Sequence, residues 1–325
     1  MKSSLKLLGG KSMDLRDAFF DSLFELIKDD ENFYFLMGDM WAFSLTKYKE
    51  HLGDRFINVG IAEQNMISVA AGLAMSGKKV CVYSITPFVT ERCFEQIKVD
   101  LCIANLPVMI LGIGSGFTYS NDGPTHHTLY DISIMRSIPN MTVYSTSTPY
   151  INMHVAKMAY ENSGPSYIRL DKGDVPELHS AMSVHNSSGV YCDMDYGHCD
   201  MIIITTGSII YEVDEAAKFL RSQKGRNVSV VDVYKIKPLN NNKLVKLLSF
   251  FDNIVVVEEG SPIGGLGSIV SELMVDNNIH KPLLKISLED KFYTEYGDRD
   301  WVRNKSEIDS KSIIEKIIEK YGDNG

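Results

Sequence analysis

Apolar and polar positions follow two rhythms along the chain. Residues 14–28 (DLRDAFFDSLFELIK) space their apolar side chains three and four apart, open with an acid and end with a lysine, which predicts a helix. The same rhythm predicts helices over 62–76, stopped by Gly77, over 91–104 and over 150–162. Short apolar-rich runs at 32–36, 56–59, 79–83, 107–113, 142–145 and 166–170 predict strands, the one at 107–113 apolar throughout. Strands that alternate with helices in this way predict an α/β fold with a parallel sheet covered on both sides.

The rhythm fails between 180 and 200, where Ser, Asn, His, Asp and Tyr dominate without helical period. A domain boundary belongs there, giving domains 1–185 and 186–325. Beyond it the alternation resumes. Strands are predicted at 201–205, 228–233, 254–258 and 283–286, and helices at 212–223, 242–248, 268–275 and 310–321. The turn Gly264–Gly265–Leu266–Gly267 feeds the third of these helices. It lacks the spacing and the downstream acid of a dinucleotide fingerprint, so it reads as a tight turn.

A length of 325 residues independently argues for two cores rather than one. The net charge of −9 leaves no electrostatic footprint for nucleic acid, although a local basic pocket for an anionic small molecule remains compatible with it. The cysteines at 81, 93, 102, 192 and 199 are odd in number and none form a C-x-x-C pair. A disulfide framework or a zinc site is not expected, and a reducing cytoplasm is. The apolar patch at 5–8 is too short for a signal-peptide core, and no stretch approaches a membrane span.

Open parallel sheets gather ligands at the carboxyl ends of their strands. Three segments stand there. In NVGIAEQN, Glu63 opens a helix. Alone it reads as an acid favouring the positive end of the helix dipole, but the small residues Ala70, Ala71, Gly72 and Ala74 behind it suggest close packing. A carboxyl group buried that way has a raised pKa and suits proton exchange with a cofactor. In NDGPTHH a fixed turn presents Asp122, His126 and His127, either as a solvated loop or as a set of donors and acceptors for an oxygen-rich substrate. In IRLD, Arg169 ends a strand, either as an ordinary exposed arginine or as a bidentate phosphate ligand.

The order RFINVGIAEQNMISVAAGLA, DGPTHH, PNMTVYSTSTPY, GPSYIRL, with KPLN and GGLGS in the tail, resembles the C-terminal half of the transketolase and deoxyxylulose-phosphate synthase family. The resemblance implies a thiamine diphosphate pyrimidine-binding domain followed by a Rossmann-like C-terminal domain. It implies that Glu63 hydrogen-bonds N1′ of the aminopyrimidine, the contact that promotes loss of the thiazolium C2 proton. It further implies that Phe88 stacks on the pyrimidine, that Asp39 lies near the thiazolium, that Asp122 and His126 grip donor hydroxyls, and that Arg169 holds a substrate phosphate. The catalytic roles fall to Glu63 and His126, and no metal ligand is assigned to this chain. Three positions depart from the family pattern: Ile85 replaces an aromatic residue, Gly260 a histidine, and Glu91 before Arg92 a small or aromatic residue.

Family members bind the magnesium diphosphate through a GDG and a later Asn, and no GDG occurs here. The expectation is a complete subunit of a split enzyme: Mg2+ and the diphosphate held mainly by a separate N-terminal-half chain, an α2β2 heterotetramer, and ketol transfer between sugars or sugar phosphates. The alternatives are the beta subunit of a 2-oxoacid dehydrogenase, deoxyxylulose-phosphate synthase-like condensation, and a non-catalytic assembly partner.

Overall fold

A computed structural model describes residues 12–185, 188–192 and 200–322, which divide into two compact units. The first comprises the described residues up to 115 together with 134–185. The second comprises 116–133 and the described residues from 188 onward. The loop 116–133, which carries DGPTHH, therefore clusters with the second unit although it lies well before residue 185. Ser120 Oγ donates to the carbonyl of Gly297 (2.7 Å), and the backbone N–H of Phe117 donates to Glu259 Oε1 (3.2 Å).

The first unit carries, in chain order, α1 (Leu15–Ile27), β1 (Phe33–Met37), β2 (Phe56–Asn58), α2 (Glu63–Met75), β3 (Lys79–Ile85), β4 (Val108–Ile113), β5 (Thr142–Ser145), α3 (Pro149–Tyr160) and β6 (Ser166–Leu170). Asp14 caps α1 by accepting from the N–H of Asp17 (3.1 Å), and Thr148 with Pro149 at the first turn sets the start of α3. These two helices pack against each other through their apolar faces. The strands run parallel in the order β5-β6-β4-β3-β1-β2, so all their carboxyl ends share one rim. β4 and β6 are buried along their full length, as the unbroken apolar run in β4 requires.

The expected helix over 91–104 is present from Phe94 to Cys102, with a separate helical turn before it. Helical geometry begins earlier, at Thr86–Val89, because Pro87 fits a first turn that needs no N–H from it. Thr90 then folds its hydroxyl back onto the carbonyl of Thr86 (2.7 Å), and the chain turns before Phe94–Gln96 and the wider coil Ile97–Cys102.

The second unit continues with β7 (Val190–Cys192), β8 (Met201–Thr205), α4 (Ile210–Lys224), β9 (Val228–Val233), α5 (Asn241–Phe250), β10 (Asn253–Val257), α6 (Leu266–Asp276), β11 (Leu283–Ile286), α7 (Arg299–Lys305) and α8 (Ser310–Tyr321). Its sheet order is β11-β10-β8-β9-β7, with β7 antiparallel on the edge and the rest parallel. Among the described residues, no helix is long and apolar enough to cross a membrane.

Candidate active site

The rim of the first sheet is built almost entirely from small residues. Register places Ser84 of β3, Gly112 of β4, Arg169 of β6 and Ser145 of β5 side by side on one face. Gly38, just after β1, adjoins Ser84. A Cβ on Gly38 would stand 2.9 Å from Ser84 Oγ and 3.1 Å from Glu63 Cγ. One on Gly112 would stand 2.7 Å from Thr86 Oγ1. Glycine is required at both positions so that the backbone can lie against its neighbours. Arg169 is the one long side chain in this row, and it is 3% exposed.

Glu63, the first residue of α2, lies over the Gly38–Ser84 end of the row and is 2% exposed. Its Oε1 accepts from Ser84 Oγ at 3.0 Å. Its Oε2 accepts from Arg92 Nη1 at 2.9 Å. The Arg92 guanidinium also lies over the ring of Phe88, with Cζ 4.3 Å from the centroid. Glu63, Ser84, Phe88 and Arg92 thus form one cluster. Beneath it Cys93 donates its thiol to the carbonyl of Phe88 (3.1 Å). Burial pushes that thiol up to about 12, the negative charge of Glu63 adds to the effect, and Arg92 opposes it.

The packing expected behind Glu63 is partly found. Ala70, Ala71 and Ala74 are buried, whereas a Cβ added to Gly72 would meet nothing within 4 Å. The carboxylate itself is bonded by Ser84 and Arg92. Asp39 sits in the loop after β1 with a left-handed backbone (φ 53°), which aspartate tolerates better than most residues. Asn58 fixes it: Nδ2 donates to Asp39 Oδ1 (3.0 Å), and Asn58 Oδ1 accepts from the N–H of Asp39 (3.3 Å) and of Gly60 (2.9 Å). Asp39 is exposed at the same end of the rim as Glu63.

Asp122 and His126 belong to the second unit and share one tight turn. The N–H of Asp122 bonds to Tyr119, and that of His126 to Gly123. Asp122 is exposed and His126 half-buried, its ring edge-on to Tyr119 and its Nδ1 3.0 Å from Thr125 Oγ1. His127 turns inward against Phe117 at 5.0 Å. Burial, followed by the neighbouring His126, holds its pKa below the ordinary imidazole value.

Sequence reasoning misses the parts that hold these groups. It pairs neither Ser84 nor Arg92 with Glu63, and it does not pair Asn58 with Asp39. A serine ending an apolar strand is the available signal for the first. In the second unit, Glu258 receives the backbone N–H groups of Leu266 (2.7 Å) and Gly267 (2.8 Å). Its carboxylate fills the start of α6, where an anion would otherwise sit, and a side chain on Gly265 would overlap it. Glu259 next to it is buried between Arg299 and Arg303. Among the described residues, no three His, Cys, Asp or Glu side chains converge as a metal site.

The family signature "Transketolase, pyrimidine binding domain" matches residues 11–177, and "Transketolase, C-terminal domain" matches 191–313. The chain belongs to the transketolase family. It is 34% identical to one of the subunits of the apulose-4-phosphate transketolase of Actinobacillus succinogenes, over 82% of this chain and 84% of that protein. It is 32% identical to a 6-deoxy-6-sulfo-D-fructose transketolase subunit of a Clostridium species over 92% of each chain. Among solved structures, the split gene transketolase in its inactive beta4 tetramer superposes with a TM-score of 0.82, at 28% identity, covering 96% of this chain and 99% of that one. These relatives are subunits of transketolase-type transferases, and the matching transketolase segment is the half that carries the pyrimidine-binding and C-terminal domains.

Proposed function

We propose that this chain is the pyrimidine-binding subunit of a two-chain, thiamine diphosphate-dependent transketolase that moves a two-carbon ketol unit between sugars or sugar phosphates. The observation that carries the reading is the cluster at the rim: a buried carboxylate, Glu63, beside the face of an aromatic ring, Phe88. These two groups already hold a planar, nitrogen-rich cation, the Arg92 guanidinium, so their donor set suits an aminopyrimidine. When bound, the cofactor supplies a thiazolium carbon that acts as an electron sink for a ketone.

The chain's own residues then have separate tasks. Glu63 holds or returns a proton at N1′, with Ser84 fixing the carboxylate. Phe88 orients the pyrimidine plane. Asp39, braced by Asn58, lies toward the thiazolium. Asp122 and His126 bind donor hydroxyls, with His126 also moving protons at those oxygens, and Arg169 holds a phosphate from the floor of the row. Mg2+ and the diphosphate fall to a separate partner chain in an α2β2 assembly, a division supported by relatives that are themselves named as transketolase subunits. An odd number of cysteines without a C-x-x-C pair suits a reducing cytoplasm.

Co-purification with the diphosphate-binding partner tests this reading. The pair should transfer ketol units from a ketose phosphate to an aldose in the presence of thiamine diphosphate and Mg2+, and the isolated chain should be inactive. The inactive beta-only tetramer of the split-gene relative agrees with that expectation. Tight, magnesium-dependent binding of the cofactor to this chain alone would refute the split arrangement.

A further inference from the structure

Arg92 is unusual among the residues around Glu63. The carboxylate is 2% exposed, while the Arg92 side chain that pairs with it is 42% exposed. Arg92 therefore lies between Glu63 and solvent. Ser84 closes the opposite side from the sheet. The guanidinium is the partly exposed partner of this buried carboxylate. The guanidinium also covers a face of Phe88 at 4.3 Å. It is a flat cation with N–H donors in its plane, and so is an aminopyrimidine carrying a proton at N1′. Both bind a carboxylate edge-on and an aromatic ring face-on.

We infer that Arg92 is a resident stand-in for the cofactor's aminopyrimidine: it pairs with Glu63 and stacks on Phe88 in the cofactor-free chain, and it must swing out before the cofactor can take those same two contacts. The inference rests on the proposed cofactor role of Glu63 and Phe88. It adds that the chain's own cation occupies these two contacts until it is displaced.

Physical reasons favour this arrangement. Without Arg92, the free chain would hold a carboxylate facing the sheet rim with only Ser84 to satisfy it, and a buried charge of that kind needs pairing. Arg92 supplies the pairing while remaining releasable, because its own side chain is partly solvated. Its backbone is independently anchored, with Gln64 Nε2 donating to the Arg92 carbonyl (3.2 Å), so side-chain release does not require the loop to move. A resident competitor lowers the apparent affinity for a ligand by the fraction of time the pocket is open. A half-exposed ion pair and a cation–π contact together correspond to about a tenfold reduction.

The test uses the full chain without a partner and, as probe, 4-amino-5-hydroxymethyl-2-methylpyrimidine, the pyrimidine half of thiamine. Binding is followed by ligand-observed NMR in wild type, Arg92→Met and Arg92→Lys, with circular dichroism confirming that each is folded. Arg92→Met should bind the probe about tenfold more tightly than wild type. Arg92→Lys, which keeps the charge but not the plane, should fall between them. Adding Glu63→Gln to Arg92→Met should remove the gain. Equal or weaker binding by Arg92→Met overturns the inference, and so does a gain that survives Glu63→Gln. Thiamine diphosphate binding by the wild-type two-chain complex separates the two levels of the argument. If the complex fails to bind it, the cofactor reading and the stand-in fall together; if it binds but Arg92→Met shows no gain, only the stand-in falls.

Discussion

Replacing Glu63 by Gln isolates its proton from its shape. The amide has nearly the same volume, and its oxygen can face Arg92 while its nitrogen faces Ser84 Oγ, whose hydroxyl turns to accept. What is lost in the fold is one ion pair whose arginine is 42% exposed, worth no more than about 1 kcal/mol. That corresponds to a fall in Tm of about 4 °C at most for a unit of this size. What is lost in chemistry is larger. General acid–base groups contribute about 10²–10⁴ in rate, or roughly 3–5 kcal/mol of barrier. The assay is hydrogen–deuterium exchange at C2 of thiamine diphosphate bound to the reconstituted pair, read by NMR after quenching. Exchange should slow by at least about a hundredfold while melting stays nearly constant. Exchange at the wild-type rate would remove Glu63 from proton transfer. A collapse in melting temperature would show instead that the Ser84–Glu63–Arg92 cluster is chiefly structural.

Other perturbations probe the surroundings. Gly38→Ala places a methyl 2.9 Å from Ser84 Oγ, so thermal or denaturant unfolding should show a loss of about 1–3 kcal/mol, partly restored when Ser84→Ala is added. Arg169→Ala should raise KM for a phosphorylated substrate much more than it lowers kcat, while an unphosphorylated analogue is nearly indifferent, the pattern of lost uniform binding; steady-state kinetics with both substrates checks it. In the second unit, burial alone would raise the pKa of Glu259, but the guanidiniums of Arg299 and Arg303 outweigh it and hold the carboxyl well below the usual carboxylate range. A depressed folded-state pKa contributes stability that is complete above the unfolded value near 4.5 and is lost as pH falls through the folded one. Glu259→Gln should therefore cost about 3–5 kcal/mol at pH 7, and denaturant midpoints should show the gap to wild type narrowing as pH drops below about 4.5.

The pattern of apolar runs locates the strand Val108–Ile113 well, because a strand buried on both faces and apolar throughout has no polar position to blur its limits; Ser166–Leu170 is found although it buries Ser166 and Arg169. Within 91–104 the pattern finds the helical stretch from Phe94 to Cys102 but misses the separate turn Thr86–Val89, which Pro87 and the Thr90 hydroxyl set. The identity of Glu63 as the carboxylate at the rim is legible from its place after a strand. Its partners are not, since Ser84 lies 21 residues away and Arg92 29, and only the parallel register brings them to one edge. The grouping of the DGPTHH turn with the second unit is hidden for the same reason: the hydrogen bond from Ser120 to Gly297 spans 177 residues.

The row of small residues along the first sheet also sets a length. Ser84, which holds Glu63, and Arg169 are separated by two strand steps through Gly112, about 10 Å at the usual interstrand spacing. Hydrogen-bonded strands do not slide or stretch, so the rim acts as a fixed gauge between a negative end and a positive end. With Arg169 as the proposed phosphate ligand and Glu63 as the proposed cofactor ligand, a donor has one favoured span from the carbon that meets the cofactor to its anionic group. On that reading, adaptation to donors of other lengths is expected in the loops that follow the strands rather than in the strands themselves.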